Sequence, residues 1–569
     1  MEANEKIFKY LSLPLLRGEM PMIEEKCEIK EYRTFSGIPL KRVYTPDDIK
    51  NLDYYRDLGD PGEPPYTRGP YPNMYRERLW RIFQLSGIAT PKVTREKILK
   101  LLEFGETGFI VEIDQLTGYH MYDLDHPEVL ARKHDVGLTG PVMMSLKDYE
   151  ELLEGIPIEK YYAHPGGVIP QLGPFVHACY WSVALKRGIP LNTLRGTGES
   201  DFFLSYVGCP VKDQIPPRAG LRLNCDLIEF AIKNVPLWVP VSIAGYNGSE
   251  SGLNAYQELA AVFACIIDHI EELLQRGYKI DQIAPRLGGV SFSTTMDFFE
   301  SICKLRAARR MWYKLMKERY GAKDPRSLRL RIHVVTAGSF MTYQQPLLNI
   351  VRGTIMGLAA VLGGVQSLGI SGFDEAICTP SDLADLIRIR TQHILQQETN
   401  IPAVADPLGG SYYVEWLTNE IEKRAWEYLE EIESKGGFIA VLESEWLLNE
   451  AKKGMFEIQR KIASGEFKQV GVNFLRMSRE EEEKYFKIEP YRAPEAFEEA
   501  WERLMALRRE RDKKKVEEAL SELRKALEKG ENVMPAMFKA VQAYATIGEI
   551  GNVQREVFGT WEPRTYSVV

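Results

Sequence analysis

Between residues 95 and 400 the chain alternates short apolar runs, rich in β-branched residues, with longer stretches whose apolar residues recur every three to four positions. The runs GFIVEI (108–113), LWVPVSIAG (237–245), LRLRIHVVTAG (328–338) and AAVLGGVQSLGISG (359–372) predict strands, and the stretches 252–275, 296–319 and 345–360 predict amphipathic helices. Parallel strands need a long crossover and a helix is the usual one, so this alternation predicts a parallel α/β fold. A (β/α)8 TIM barrel is the first expectation. A doubly wound open sheet comes second, because no strand carries a GxGxxG turn opening a helix.

Residues 1–65 mix charge, proline and short apolar pieces and run into the Pro/Gly-rich DLGDPGEPPYTRGPYP (57–72), which predicts an extended N-terminal arm. Residues 66–414 then form the barrel, and 415–569 a helical C-terminal region whose charged 494–529 segment reads as a solvated or docking face. A closed barrel normally fills its axis with branched aliphatics. Here LGGVSFSTT (287–295), TAGSFMT (336–342) and LGGVQSLGISG (362–372) bring small residues to the strand ends. They either leave an axial channel or form loops at the barrel mouth, and both place a ligand along or above the axis.

Charge narrows the function classes. The chain of 569 residues carries 72 Lys+Arg against 80 Asp+Glu, without a basic stripe, so nucleic acid is an unexpected partner. Its apolar stretches are interrupted well short of the roughly 20 residues of a membrane span. The first 25 residues hold only a short apolar patch broken by Pro14, which predicts no export signal and a cytoplasmic protein. The seven cysteines (27, 179, 209, 225, 265, 303, 378) lack a CxxC pair or metal-ligand spacing, so reduced thiols are expected and no metal site.

Several longer motifs are distinctive. TRGPYPNMYRERLW (67–80) with RIFQLSGIAT (81–90), APRL (284–287), LRAARRMWYKLMKERYGAKDPRSLRLRIH (305–333), AAVLGGVQSLGISGFDEA (359–376), RTQHILQQET (390–399), DPLGGSYYVEWLT (406–418) and the 532–561 tail stand in one order. In wording, order and spacing they resemble the large subunit of the adenosylcobalamin-dependent acyl-CoA mutases, the methylmalonyl-CoA mutase family. The branch that includes 2-hydroxyisobutyryl-CoA mutase matches most closely.

The resemblance implies an isomerase in which a barrel threads an acyl-CoA along its axis beneath a separate cobalamin domain. That domain's Asp-x-His-x-x-Gly signature is absent, since none of the eight histidines has Asp two before and Gly three after. A small B12-binding subunit is therefore expected in trans, in a heterotetramer. By motif position Tyr71, Asn73, Met74, Arg78 and Arg286 match CoA contacts, and Glu250 and Glu375 match ribose-binding carboxylates. Gly87, Val335 and Ser371 fall at cofactor-facing positions, and Thr197, Glu199 and His333 at substrate-facing ones. For any one of these acids or arginines a plain ion pair is the alternative reading.

Departures from the family pattern bear on the substrate. The Tyr and Arg that hold a migrating carboxylate correspond to Leu85 and, by counting from GTGESD, to Cys209, which argues against a free acyl carboxylate. Glu112 stands near the acid of the hydroxyacyl branch and could accept a substrate hydroxyl. The thioester-binding His is replaced by Asn247, whose amide can donate but cannot act as an acid. With Glu199, Val335 and Ser371 also altered, the expectation is a pocket remodelled for a different or bulkier acyl group, or a structural paralogue that has lost catalysis.

Overall fold

The apolar runs pair side by side in parallel. The structure, a computed structural model, describes residues 31–210 and 212–563, so Cys27 and the first 30 residues, with the export-signal reading made on them, lie outside the described residues. After a short antiparallel pair, β1 (Tyr32–Arg33) and β2 (Pro39–Leu40), come the strands β3 (Arg81–Ile82), β4 (Leu85–Ser86), β5 (Gly108–Val111), β6 (Tyr162–His164), β7 (Gly196–Thr197) and β8 (Trp238–Val239). The remaining strands are β9 (Ile243–Ala244), β10 (Gly289–Thr294), β11 (Arg331–Thr336) and β12 (Ser367–Gly369). They form two five-stranded parallel sheets, ordered β3-β12-β11-β10-β9 and β4-β5-β6-β7-β8. Strands β3 and β4 are successive pieces of the stretch 81–86, and β8 and β9 of 238–244. Each sheet therefore begins and ends on chain that also serves the other.

Register sets which side chains share a level. Ser291, His333 and Ser367 stand abreast on one sheet, and Leu85, Ile110 and His164 on the other. The helices Ala255–Gln275, Phe298–Lys314 and Asn349–Leu362 occupy the three predicted helical stretches. One expectation is corrected: 359–372 is not one strand. Ala359–Leu362 close a helix, Gly364 turns the chain with φ +79°, and only Ser367–Gly369 pair as strand. A short apolar run has no period long enough to tell a buried helix end from a strand.

Helices follow from residue 412 on. Helix Tyr412–Ser434 is fastened by Arg306, which is fully buried between Asp406 and Glu415, and by Arg310 on Glu422. The charged 494–529 segment divides into Phe497–Glu510 and Lys513–Lys529, the second capped by Asp512. Leu504, Val516, Leu523 and Leu527 turn inward, and Arg508 reaches Asp123 and Asp125, so this is a docked face. No helix among the described residues is long and apolar enough to cross a membrane.

Candidate active site

A cavity of about 660 Å³ runs between the sheets, and Gly289, Ser291, Ser367 and Gly369 on its wall keep it open. Because the strands are parallel, their N-terminal ends gather at one end of this cavity and their C-terminal ends at the other. The two ends carry opposite charge.

At the N-terminal ends stand Arg81 and Arg331, each first in its strand, with Arg195, Arg286 and Arg329 a few residues ahead of theirs and Arg78 beside them. Arg81 stacks over Tyr162, its guanidinium carbon 4.4 Å from the ring centroid. Burial, then the neighbouring Arg331 and Arg326, push Arg286 down to about 10. The Nε atoms of Arg286 and Arg329 are buried without a hydrogen-bond partner. Guanidinium groups crowded without carboxylates form a ready site for phosphate oxygens.

The C-terminal ends are acidic. Glu112 follows β5 and accepts a hydrogen bond from the Tyr119 hydroxyl, while burial raises its carboxyl to about 7. Two residues past β7, Glu199 is pushed well up by burial and by the charges of Asp201 and Glu112. Burial also raises Asp201, to about 7. Asn247 bridges these acids, its Nδ2 donating to Glu199 Oε1 and Asp201 Oδ2, each at 3.0 Å. Both hydrogens of this amide are thereby engaged.

Glu250 and Glu375 approach each other across Gly338: a methyl group added there would lie 3.4 Å from Glu250 Oε2 and 3.5 Å from Glu375 Oε1. Ser339 donates its N–H and its hydroxyl to Glu250, at 2.8 and 2.9 Å, and burial raises that carboxyl to about 7.

Most residues singled out from the sequence meet in this cavity: Tyr71, Met74, Arg78, Leu85, Gly87, Glu112, Thr197, Glu199, Asn247, Arg286, His333, Val335, Ser371 and Glu375 line it. Gly87 is required by its backbone, with φ +151° and a carbonyl of Glu112 only 2.4 Å from where a Cβ would stand. Three others do not line it: Glu250, which Ser339 holds, and two more. Asn73 turns outward to Glu77 at 3.1 Å, and Cys209, exposed, ends the turn Leu204–Gly208. Ser371 spends its hydroxyl on Thr336 O at 2.9 Å. The sequence reading missed Tyr119, Asp201 and His164, and most of the arginine end. Only Asp201, two residues after Glu199, carried a local signal.

Behind the wall, Glu106 accepts from the Gln84 backbone N–H and burial raises it to about 8. Its folded-state value lies above the unfolded 4.5, so it favours folding fully below pH 4.5 and loses that contribution as pH rises through 8. Glu106→Gln keeps the acceptor. Urea unfolding should find this variant more stable than the unsubstituted chain at pH 8.5, by an amount on the order of a few kcal/mol, and equal to it at pH 4.

Comparison with known proteins agrees with this geometry. Residues 33–560 match the family model described as Methylmalonyl-CoA mutase. Among relatives, the chain is 38% identical to the 2-hydroxyisobutanoyl-CoA mutase large subunit of Aquincola tertiaricarbonis, over 94% of this chain and 93% of that protein. It is 35% identical to the methylmalonyl-CoA mutase of Cereibacter sphaeroides, over 93% and 72%. With the methylmalonyl-CoA mutase large subunit of Porphyromonas gingivalis identity is 34%, over 95% and 74%. The chain belongs to the methylmalonyl-CoA mutase family. It is an isomerase of the cobalamin-dependent acyl-CoA mutase type.

Proposed function

We propose that this chain is the large subunit of an adenosylcobalamin-dependent mutase that rearranges a branched acyl-CoA without a free acyl carboxylate, of the 2-hydroxyisobutyryl-CoA to 3-hydroxybutyryl-CoA type. The acid end carries this reading. Glu112, Glu199 and Asp201 gather there, while the cations Lys97 and Arg388 on the same wall are tied to Asp385. An anionic acyl group would enter a dry space beside acids with Lys97 and Arg388 already paired, at a cost of several kcal/mol. A hydroxyl is welcome, because Glu112 has one oxygen on Tyr119 and the other free to accept. The likeness to the Aquincola subunit supports the same choice.

The two sheets act in this reading as halves of one (β/α)8 barrel, supported by their shared stretches 81–86 and 238–244. The arginine end takes the CoA phosphates, with Tyr71, Met74, Arg78 and Arg286 at its rim, and the pantetheine arm passes the small residues of the axis. Glu250 and Glu375, carboxyl groups on two sides of Gly338, suit the two hydroxyls of a ribose, and Gly87, Val335 and Ser371 line the same cavity as Glu375. Adenosylcobalamin supplies, when bound, the radical that abstracts a substrate hydrogen. The chain's own residues grip the thioester, hold the ribose and keep water out. A small subunit with the Asp-x-His-x-x-Gly motif brings the corrin, in a heterotetramer.

The test mixes this chain with a cobalamin-binding small subunit, adenosylcobalamin and a panel of acyl-CoAs, and follows mass-neutral isomerisation by chromatography. A branched 2-hydroxyacyl-CoA should turn over fastest. Turnover of no thioester would leave the chain as a structural paralogue. Glu375→Gln should weaken apparent adenosylcobalamin affinity about tenfold, the worth of one charge-assisted hydrogen bond, with CoA binding to the chain alone unchanged.

A further inference from the structure

A thioester carbonyl carried to the acid end leaves bulk water, and an oxygen shut away from water needs a donor. The obvious candidates are committed. Asn247 gives both amide hydrogens to Glu199 and Asp201, Tyr119 gives its hydroxyl to Glu112, and Ser371 gives its own to Thr336 O.

His164 is different. It ends β6, level with Leu85, is 4% exposed and lines the cavity. Its Nδ1 accepts the Gly166 backbone N–H at 3.3 Å. A ring nitrogen that accepts bears no hydrogen, so the neutral imidazole carries its hydrogen on Nε2. That Nε2 is buried without a hydrogen-bond partner, and Glu199 Oε2 lies beyond reach at 3.8 Å. Burial, then His177 and His333, hold His164 down at about 3, so the ring stays neutral at any working pH.

We propose that His164 Nε2–H donates the hydrogen bond that holds and polarises the substrate's thioester carbonyl. The inference rests on the acyl-CoA reading of the cavity but not on the choice of a hydroxyacyl group. The donor is placed before substrate arrives, so it costs no reorganisation when charge builds on the carbonyl oxygen. Because this imidazole is so hard to protonate, it polarises without exchanging a proton.

The test needs no cobalamin. Acetyl-CoA labelled with 13C at the thioester carbonyl is bound to the full chain, and the carbonyl band is followed by infrared difference spectroscopy. The band should move to lower frequency on the unsubstituted chain, return most of the way in His164→Leu, and stay shifted in His164→Gln, whose amide reaches a similar point. In the reconstituted enzyme His164→Leu should lose about 10²-fold in kcat with KM little changed. A band unmoved by His164→Leu, or one lost in Glu199→Gln instead, would overturn the assignment and pass the role to a protonated Glu199.

Should His164→Leu not fold, 15N-histidine NMR on the unsubstituted chain gives the answer, with the His164→Gln spectrum assigning the signal. The Nε2–H proton should shift downfield with acetyl-CoA and not with S-ethyl-CoA, a thioether lacking the carbonyl. Equal responses would sink the proposal. If acetyl-CoA does not bind at all, the acyl-CoA reading itself falls. If binding and the band shift hold while no hydroxyacyl-CoA turns over, only the hydroxyacyl choice falls.

Discussion

Glu112→Ala is expected to lower kcat/KM for a 2-hydroxyacyl-CoA about 10²-fold while leaving the unhydroxylated analogue within about threefold. A hydrogen bond to a charged acceptor contributes about 1.5–3 kcal/mol, and the variant removes it only for the substrate that carries the hydroxyl. The pH profile adds a second check. Burial sets Glu112 near 7, so the enzyme's preference for the hydroxyacyl substrate should strengthen as pH rises through 7 and the stronger, charged acceptor forms. Glu112→Gln should flatten that rise. Equal losses on both substrates in the alanine variant would remove the hydroxyl-recognition role, and competition assays with the two thioesters measure the ratio directly.

Arg306→Met should cost about 3–5 kcal/mol of stability, the largest folding effect anticipated for a single side chain here. Arg306 is wholly buried and pairs with Asp406 and with Glu415, the latter at 2.6 Å, so its loss leaves buried Glu415 without a cation and Asp406 with Arg68 alone. The pairing ties helix Phe298–Lys314 to helix Tyr412–Ser434. Urea unfolding followed by far-ultraviolet circular dichroism reads the change in midpoint. Arg306→Met combined with Asp406→Leu and Glu415→Leu should recover much of the loss, because an apolar replacement of a whole buried ionic cluster is often nearly neutral. Failure of that recovery would mean Arg306 acts through packing more than through charge.

The two acidic groups show how unevenly the site was written into the chain. Glu250 and Glu375 sit in recognisable motifs, and the fold brings both against Gly338. Glu112, Glu199 and Asn247 were also picked out, yet what they do to one another was invisible, because their spacing of tens of residues says nothing about distance. His164 went unnoticed for the same reason. Its orphan Nε2 exists only once Gly166 has claimed Nδ1 and β6 has set the ring at the cavity wall. Cys209, reached by counting from a motif, ends the turn Leu204–Gly208 and is not part of the cavity lining. Asn73 likewise belongs to a matching motif and turns to Glu77.

From the sequence alone came the parallel α/β class, the helices of the three named stretches, the family and the small residues at the strand ends, because periodicity and motif wording are local properties that survive without coordinates. The tertiary structure decided the polarity of the cavity. Its arginines and acids come from different strands of one parallel array, and only that array sends every N-terminal end to one side and every C-terminal end to the other. It also decided which donors are spent and which remain, since a hydrogen bond depends on angstroms in space, and residues far apart in the chain meet only when it folds.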